Sequence, residues 1–280
     1  MTSHTVVTDK AVPATCTSTG LTAGSHCSVC SKVIVAQTVV PKTGHNYVAT
    51  VVEPTYTAKG YTLHKCSVCE DSYKDTYIDM LILPAVSDFK VAPKNSTTVT
   101  LSWAKNSDAT GYIIEQNKNG TWSQIQNIST NATISYAVSG LTPSTTYSFR
   151  IKAYKTESSS TVYSAYETAS GRPYPKMMSN VIVKPKNSTT VTISWDKNTA
   201  ATGYILEVYK STGWTQIAKI TSNATLSYAV TGLVPSVNYK FRIKAYNTAN
   251  GTTLYSAYTY MEGRPYPKMM SNVIVKPKNS

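Results

Sequence analysis

LTPSTTYSFRIKAY, residues 141–154, holds a proline turn and a strand in one short stretch. Pro143 turns the chain and Tyr147 follows four residues later. From Tyr147 to Tyr154 apolar and polar residues alternate with the period of a pleated strand. A tyrosine so placed can return its hydroxyl to the backbone of the turn, the corner arrangement of Greek-key β-sandwiches. The stretch recurs as LVPSVNYKFRIKAY at residues 233–246, 92 residues further on.

The same offset holds without a gap through Trp103/Trp195, Tyr112/Tyr204, Trp122/Trp214 and Tyr163/Tyr255. GRPYPKMMSNVIVKPKNS stands at 171–188 and again at 263–280. A period of that size is a domain rather than a solenoid unit. Upstream of each corner, Thr98–Trp103, Thr190–Trp195 and Gly111–Glu115 alternate with period two, and no helical periodicity of useful length occurs. The expected fold is all-β: two antiparallel seven-stranded sandwiches behind a small Cys/His-rich β segment. The expected boundaries are 1–83 for the Cys/His segment, 84–173 and 174–265 for the sandwiches, and 266–280 for the start of a third repeat. Pro267–Ser280 alone cannot bury its Val and Ile residues, so it is expected to be disordered or to pair with a sheet edge.

The tryptophans Trp103 and Trp195, the tyrosines Tyr112 and Tyr204, and the two Leu-x-Pro-x-x-x-Tyr corners together resemble the fibronectin type III family. The resemblance covers Ser87–Arg264. It implies seven-stranded sandwiches without catalytic residues, used for adhesion, spacing and receptor–ligand contact. The integrin-binding tripeptide of some members would fall in Lys155–Thr161 or Asn247–Thr253. Neither contains Arg-Gly-Asp, so that activity is not carried over.

All five cysteines and all four histidines lie before residue 70. His4…Pro13-Ala-Thr-Cys16…Gly20…Cys27-Ser-Val-Cys30 aligns with His45…Pro54-Thr-Tyr56…Gly60…Cys66-Ser-Val-Cys69, an imperfect duplication with Tyr56 in the place of Cys16. Two thiolates on a tight Cys-x-x-Cys turn can fill two corners of a tetrahedral zinc site. The first copy offers Cys16, Cys27 and Cys30 with His45 or His4. The second offers Cys66 and Cys69 with His45 or His64, a weaker set. Disulfides in an exported protein and a redox pair are the competing readings; the odd cysteine count opposes complete pairing, and no βαβ context supports redox chemistry. Whichever holds, so short and polar a segment needs a staple to fold. Thr43-Gly44-His45, Pro13-Ala-Thr-Cys16 and both Cys-x-x-Cys pairs resemble short repeats of surface proteins from anaerobic Gram-positive gut bacteria. With the sandwiches, that resemblance implies a bacterial polypeptide of two fibronectin type III domains released from a longer surface protein. A host-directed, hormone-like role follows only by analogy with irisin, which shares the fold.

Charge is uneven. Residues 1–86 are neutral overall, 87–178 carry +4, 179–270 carry +7, and the whole chain +13. Such a field favours acidic partners, though Lys-rich strand edges also deter edge-to-edge pairing. The basic residues are dispersed and no nucleic-acid motif is present, so no nucleic-acid partner is expected. No apolar run is long enough to span a membrane, and Met1–His4 does not read as a secretory signal. Neither sandwich contains a His or Cys, and Asp108 and Glu115 read as isolated carboxylates; no enzyme is expected. Tyr163, Tyr166, Tyr255, Tyr258 and Tyr260 lie on the last strand of each repeat. The spacing of three between Tyr163 and Tyr166 and between Tyr255 and Tyr258 prevents all of them from facing inward, so they are the candidate binding residues. The expectation is a monomeric, extracellular binding polypeptide whose partner is a protein receptor or an acidic polymer. The alternatives are a wall-attached spacer and an adhesin for acidic glycans.

Overall fold

The computed structural model describes residues 3–270. The expectation for Pro267–Ser280 therefore falls, from residue 271 on, outside the described residues. Every regular element among the described residues is a strand.

The N-terminal unit contains β1 (Val6–Asp9), β2 (Gly20–Leu21), β3 (Gly24–Cys27), β4 (Val33–Val35), β5 (Val39–Val40), β6 (Tyr47–Val52), β7 (Gly60–Cys66) and β8 (Ser72–Ile78). Each short repeat forms a three-stranded antiparallel sheet, β1-β3-β4 in the first and β6-β7-β8 in the second, and β2 pairs with β5. Gly20 and Gly60 hold equivalent corners: a Cβ at Gly20 would lie 2.4 Å from the Val12 carbonyl oxygen, and one at Gly60 would lie 2.7 Å from the Pro54 nitrogen. Apolar burial is scarce. Among the described residues up to 82 the only buried ones of hydrophobic type are Cys16, Cys27 and Cys66, while the valines of β1 and β4 face solvent. The tip of a later hairpin, Thr156–Val162, clusters with this unit.

The first sandwich is built from β9 (Lys90–Pro93), β10 (Val99–Ser102), β11 (Gly111–Lys118), β12 (Thr121–Ile128), β13 (Ser135–Val138), β14 (Tyr147–Glu157), β15 (Ser160–Tyr163) and β16 (Glu167–Gly171). The second repeats it as β17 (Ile182–Asn187), β18 (Thr190–Ser194), β19 (Gly203–Lys210), β20 (Gly213–Ile220), β21 (Ser227–Val230), β22 (Tyr239–Ala249), β23 (Thr252–Tyr255) and β24 (Thr259–Gly263). In each, a three-stranded sheet (β13-β10-β9, β17-β18-β21) faces a larger one centred on β11–β14 or β19–β22. Alternating residues fill the space between: Leu101, Tyr112, Ile114, Phe149 and Ile151 in the first, and Ile193, Tyr204, Leu206, Phe241 and Ile243 in the second, all fully buried. Trp103 meets Tyr112 edge-on at 5.4 Å, and Trp195 meets Tyr204 at 5.3 Å. The corner tyrosines close as the sequence suggests, each hydroxyl accepting a backbone N–H, from Thr142 to Tyr147 and from Val234 to Tyr239, both at 2.9 Å.

The seventh strand is divided. β15 and β16 both belong to the sheet of β14, and β23 and β24 both pair with β22. At the break a buried serine supplies the missing acceptor: the Ala153 amide donates to Ser164 Oγ at 2.9 Å, and the Ala245 amide to Ser256 Oγ at 3.0 Å. The extra residue restores alternation, which explains how tyrosines three apart share one face.

The two sandwiches are joined through Arg172. Its guanidinium is buried and donates to the carbonyls of Ala249 at 3.1 Å, Asn247 at 3.4 Å and Thr252 at 2.7 Å, all at the β22–β23 hairpin. Pro173 and Pro175 are buried beside it, and Met178 enters the core of the second sandwich. Arg264, the same residue one repeat later, is exposed.

Candidate functional site

Among the described residues, two Cys/His groups in the N-terminal unit and a ladder repeated on both sandwiches have the chemistry of a site.

In the N-terminal unit the donors group across the duplication. Cys16, His45, Cys66 and Cys69 place their ligand atoms within 4.8 Å of one another, and His4, Cys27 and Cys30 do the same. The spacing had placed Cys16 with Cys27 and Cys30; in the fold Cys16 stands with the second repeat. His4 stays with Cys27 and Cys30, its Nδ1 3.5 Å from the Cys30 sulfur. His64 joins neither group: its Nε2 is bonded to the Asp75 carboxylate at 2.9 Å and its ring stacks on Tyr73. None of the five cysteines is joined in a disulfide.

The pairing has local causes. β2 pairs with β5, and the Thr43 amide donates to the Thr15 carbonyl at 3.0 Å. The turn bearing Cys16 is thereby tied to the chain two residues before His45. The register Tyr47↔Cys66 of β6 and β7 then sets His45 beside the Cys66–Cys69 turn, which the Cys66 amide closes on the Asp71 carbonyl at 2.9 Å. Backbone N–H groups of that turn, Val68 first, outweigh burial and, with His45, draw the Cys66 thiol down to about 6. The Cys30 and Val29 amides do the same for Cys27, also to about 6. At Cys69 the Asp71 amide lowers the thiol, but burial and the neighbouring sulfurs of Cys66 and Cys16 prevail and raise it to about 11. With their donor atoms within 4.8 Å of one another, the Cys/His groups are able to hold a metal ion.

On the sandwiches, β14 and β22 carry a ladder of alternating cations and rings. In the first, Arg150 lies 4.6 Å over Trp122 and 3.9 Å over Tyr166, and Lys152 lies 4.8 Å over Tyr166 and 4.2 Å over Tyr163. In the second, Arg242 lies 4.4 Å over Trp214 and 3.9 Å over Tyr258, and Lys244 lies 4.5 Å over both Tyr258 and Tyr255. A carboxylate anchors each ladder. Arg150 Nε donates to Glu115 at 2.6 Å and the Tyr166 hydroxyl donates to its other oxygen at 2.7 Å; Arg242 and Tyr258 bind Glu207 alike. Burial alone would raise the Glu115 carboxyl, but Tyr166 and Arg150 outweigh it and hold the group below the usual carboxylate range. Glu115 is therefore not isolated, and Glu207 matches it one repeat on. A register shift between Ile114 and Glu115, repeated between Leu206 and Glu207, sits at each anchor.

All five tyrosines singled out by their spacing lie on these ladders or beside them. Tyr163, Tyr255 and Tyr260 are exposed, and Tyr166 and Tyr258 are half-buried under the cations. The second sandwich adds more aromatic surface. Tyr260 meets Trp214 at 5.7 Å and Tyr209 meets it at 5.3 Å, where the first sandwich has Thr168 and Asn117. A recess of about 240 Å³ opens there, lined by Trp214, Lys240, Phe241, Tyr260, Met261 and Glu262.

Arg172 and the ladder carboxylates escaped the spacing argument. For Glu115 the signal was available, since Glu115 and Glu207 obey the 92-residue offset together with Arg150 and Arg242.

The family model described as "Fibronectin type III domain" matches residues 84–168 and 174–261. The cell adhesion molecule Dscam1 of Drosophila melanogaster is 36% identical over 118 residues, 38% of this chain and 6% of that protein. The receptor-type tyrosine-protein phosphatase eta of Gallus gallus is 29% identical over 187 residues, 65% of this chain and 13% of its own length. This chain thus spans only a small part of those relatives. A two-domain fibronectin type III segment of chicken tenascin superposes with a TM-score of 0.42 at 19% identity, covering 64% of this chain and 99% of that one. With both sandwiches matched over more than half of its length, this chain belongs to the fibronectin type III family.

Proposed function

We propose that the chain is a non-catalytic extracellular binding polypeptide that recognises a protein partner through the outer faces of its two fibronectin type III domains. The observation that carries this is the ladder Trp-Arg-Tyr-Lys-Tyr, present on both domains and widened on the second by Tyr209 and Tyr260. Stiff, amphipathic rings interleaved with cations supply contact area at little entropic cost and fit an acidic or polar protein surface. Fibronectin type III domains are commonly extracellular binding and adhesion modules and generally non-catalytic, and no helix of the described residues is long and apolar enough to cross a membrane. In this reading the polypeptide is released from a longer bacterial surface protein, and the N-terminal unit is a structural zinc module that staples a segment poor in apolar core.

A second reading, a spacer, is favoured by the buried Arg172 joint, which fixes one domain on the next. The experiment is a binding screen of the full chain against displayed receptor ectodomains and against heparin, at low and high salt, beside a Tyr209→Ala/Tyr260→Ala variant. Saturable protein binding with modest salt dependence, lost in the variant, supports recognition by the ladder face. Heparin binding that collapses with salt supports the adhesin, and no binding at all supports the spacer.

A further inference from the structure

We infer that the N-terminal unit holds a tetrahedral zinc on Cys16, His45, Cys66 and Cys69, a ligand set that the two short repeats share. This rests on the reading of the unit as zinc-stapled and assigns the donors. The distances between donors fit a common ion. Two sulfurs each about 2.3 Å from zinc at the tetrahedral angle stand about 3.8 Å apart, and a sulfur and an imidazole nitrogen about 3.6 Å apart. Cys16 Sγ and Cys66 Sγ are 3.9 Å apart, and Cys69 Sγ and His45 Nδ1 are 3.3 Å apart. A disulfide would need sulfurs about 2.05 Å apart.

The environment agrees with the geometry. Cys16 and Cys66 are only 5% and 3% exposed, in a unit where, among the described residues up to 82, the sole other buried apolar side chain is Cys27 of the second group. Contacts between thiols are too weak to draw three sulfurs and an imidazole from three separate segments into one spot. A divalent ion does so directly, because its binding free energy becomes folding free energy. Three thiolates and a neutral imidazole leave the centre with a single negative charge, and all four donors are present without rearrangement.

The other group is unequal. His4, Cys27 and Cys30 provide three donors, and both His4 and Cys30 are exposed. The fourth donor of the complete centre is the Pro-Ala-Thr-Cys cysteine of the neighbouring repeat, and among the described residues nothing plays that part for His4, Cys27 and Cys30. The zinc of the complete centre therefore welds one repeat to the next, and the three-donor group holds metal more weakly.

The test uses the full chain, reduced, stripped of metal and reloaded with zinc, then challenged with a chromophoric chelator and read by native mass spectrometry. The expected result is one zinc per chain that resists the chelator. Cobalt in its place should give the strong visible absorption of a tetrahedral thiolate site. Cys16→Ser and Cys69→Ser should weaken binding by more than the roughly 10–100-fold that losing an outer-shell partner costs. Cys16→His should restore the tetrahedral cobalt spectrum, which separates ligand loss from misfolding, and Cys27→Ser and Cys30→Ser should keep the resistant zinc. Zinc lost in the Cys27 and Cys30 variants but kept in Cys69→Ser would overturn the ligand set while sparing the stapling. A reloaded wild-type chain that retains no zinc, or an obligatory Cys16–Cys66 disulfide, would overturn both.

Discussion

Glu115 stands directly opposite Arg150 in the register of β11 and β14, and Arg150 Nε donates to its carboxylate at 2.6 Å. This cross-strand pair orients the cation that lies between Trp122 and Tyr166, so the ladder depends on a carboxylate beneath it. Because the folded pKa of Glu115 is depressed, the contribution of the pair is complete above the unfolded value of about 4.3. It is lost as pH falls through the lower folded value. Glu115→Gln should cost about 1–3 kcal/mol at neutral pH. It should also flatten the acid limb of stability, measured by urea unfolding at stepped pH; an unchanged acid limb would show that the pair does not couple to folding.

Arg172 should govern the joint between the domains. Arg172→Ala removes three charge-assisted bonds to the β22–β23 hairpin while leaving both cores intact. Small-angle scattering of the variant should show a broader distribution of distances than wild type. Hydrogen exchange at Ala249–Thr252 should quicken, corresponding to about 1–3 kcal/mol of lost local protection. A scattering profile identical to wild type would mean that the buried prolines alone hold the joint.

Ser164 and Ser256 should behave as backbone substitutes. Each hydroxyl accepts a buried amide at the break in the seventh strand. Ser164→Ala and Ser256→Ala should each cost about 1–3 kcal/mol, because an amide is left buried without a partner. Serine to threonine keeps the hydroxyl and should cost less. Denaturant midpoints of the paired variants decide the matter, and equal midpoints for alanine and wild type would refute the role.

The tyrosine corners should be interchangeable in energy. Tyr147→Phe and Tyr239→Phe each delete one acceptor, for the Thr142 and Val234 amides respectively. Both amides lie in exposed turns where water can enter, so each loss should be about 1 kcal/mol. Thermal unfolding of the two variants should show matching shifts; a large difference would mean that the repeats do not fold by the same contacts.

What the sequence disclosed followed the range of the interaction. Pro143 and Tyr147, or Trp103 and Tyr112, are close in the chain and carry distinctive side chains, so the sandwich and its corners were legible. Glu115 and Arg150 were legible in principle, through their shared offset with Glu207 and Arg242. Cys16 was not, because its place depends on the β2–β5 pairing and on a single amide, Thr43, that reaches back to Thr15. Arg172 was hidden for a different reason: its acceptors are backbone carbonyls, which any residue provides. The tyrosines' common face was hidden by the inserted residue after Ser164 and Ser256, since a count of two per repeat along a strand gives the opposite parity.

The joint has a consequence for how such a gene can change. Arg172 is the plug, and the socket is made of the carbonyls at 247, 249 and 252, so plug and socket both fall within the 92-residue period. Arg264 carries the plug again in an identical sequence context. Since the socket is main chain, drift in the hairpin's side chains leaves it in working order. Unequal crossing-over within this period can therefore add or remove whole domains without any new junction having to be invented, and the array can be lengthened or shortened by recombination alone.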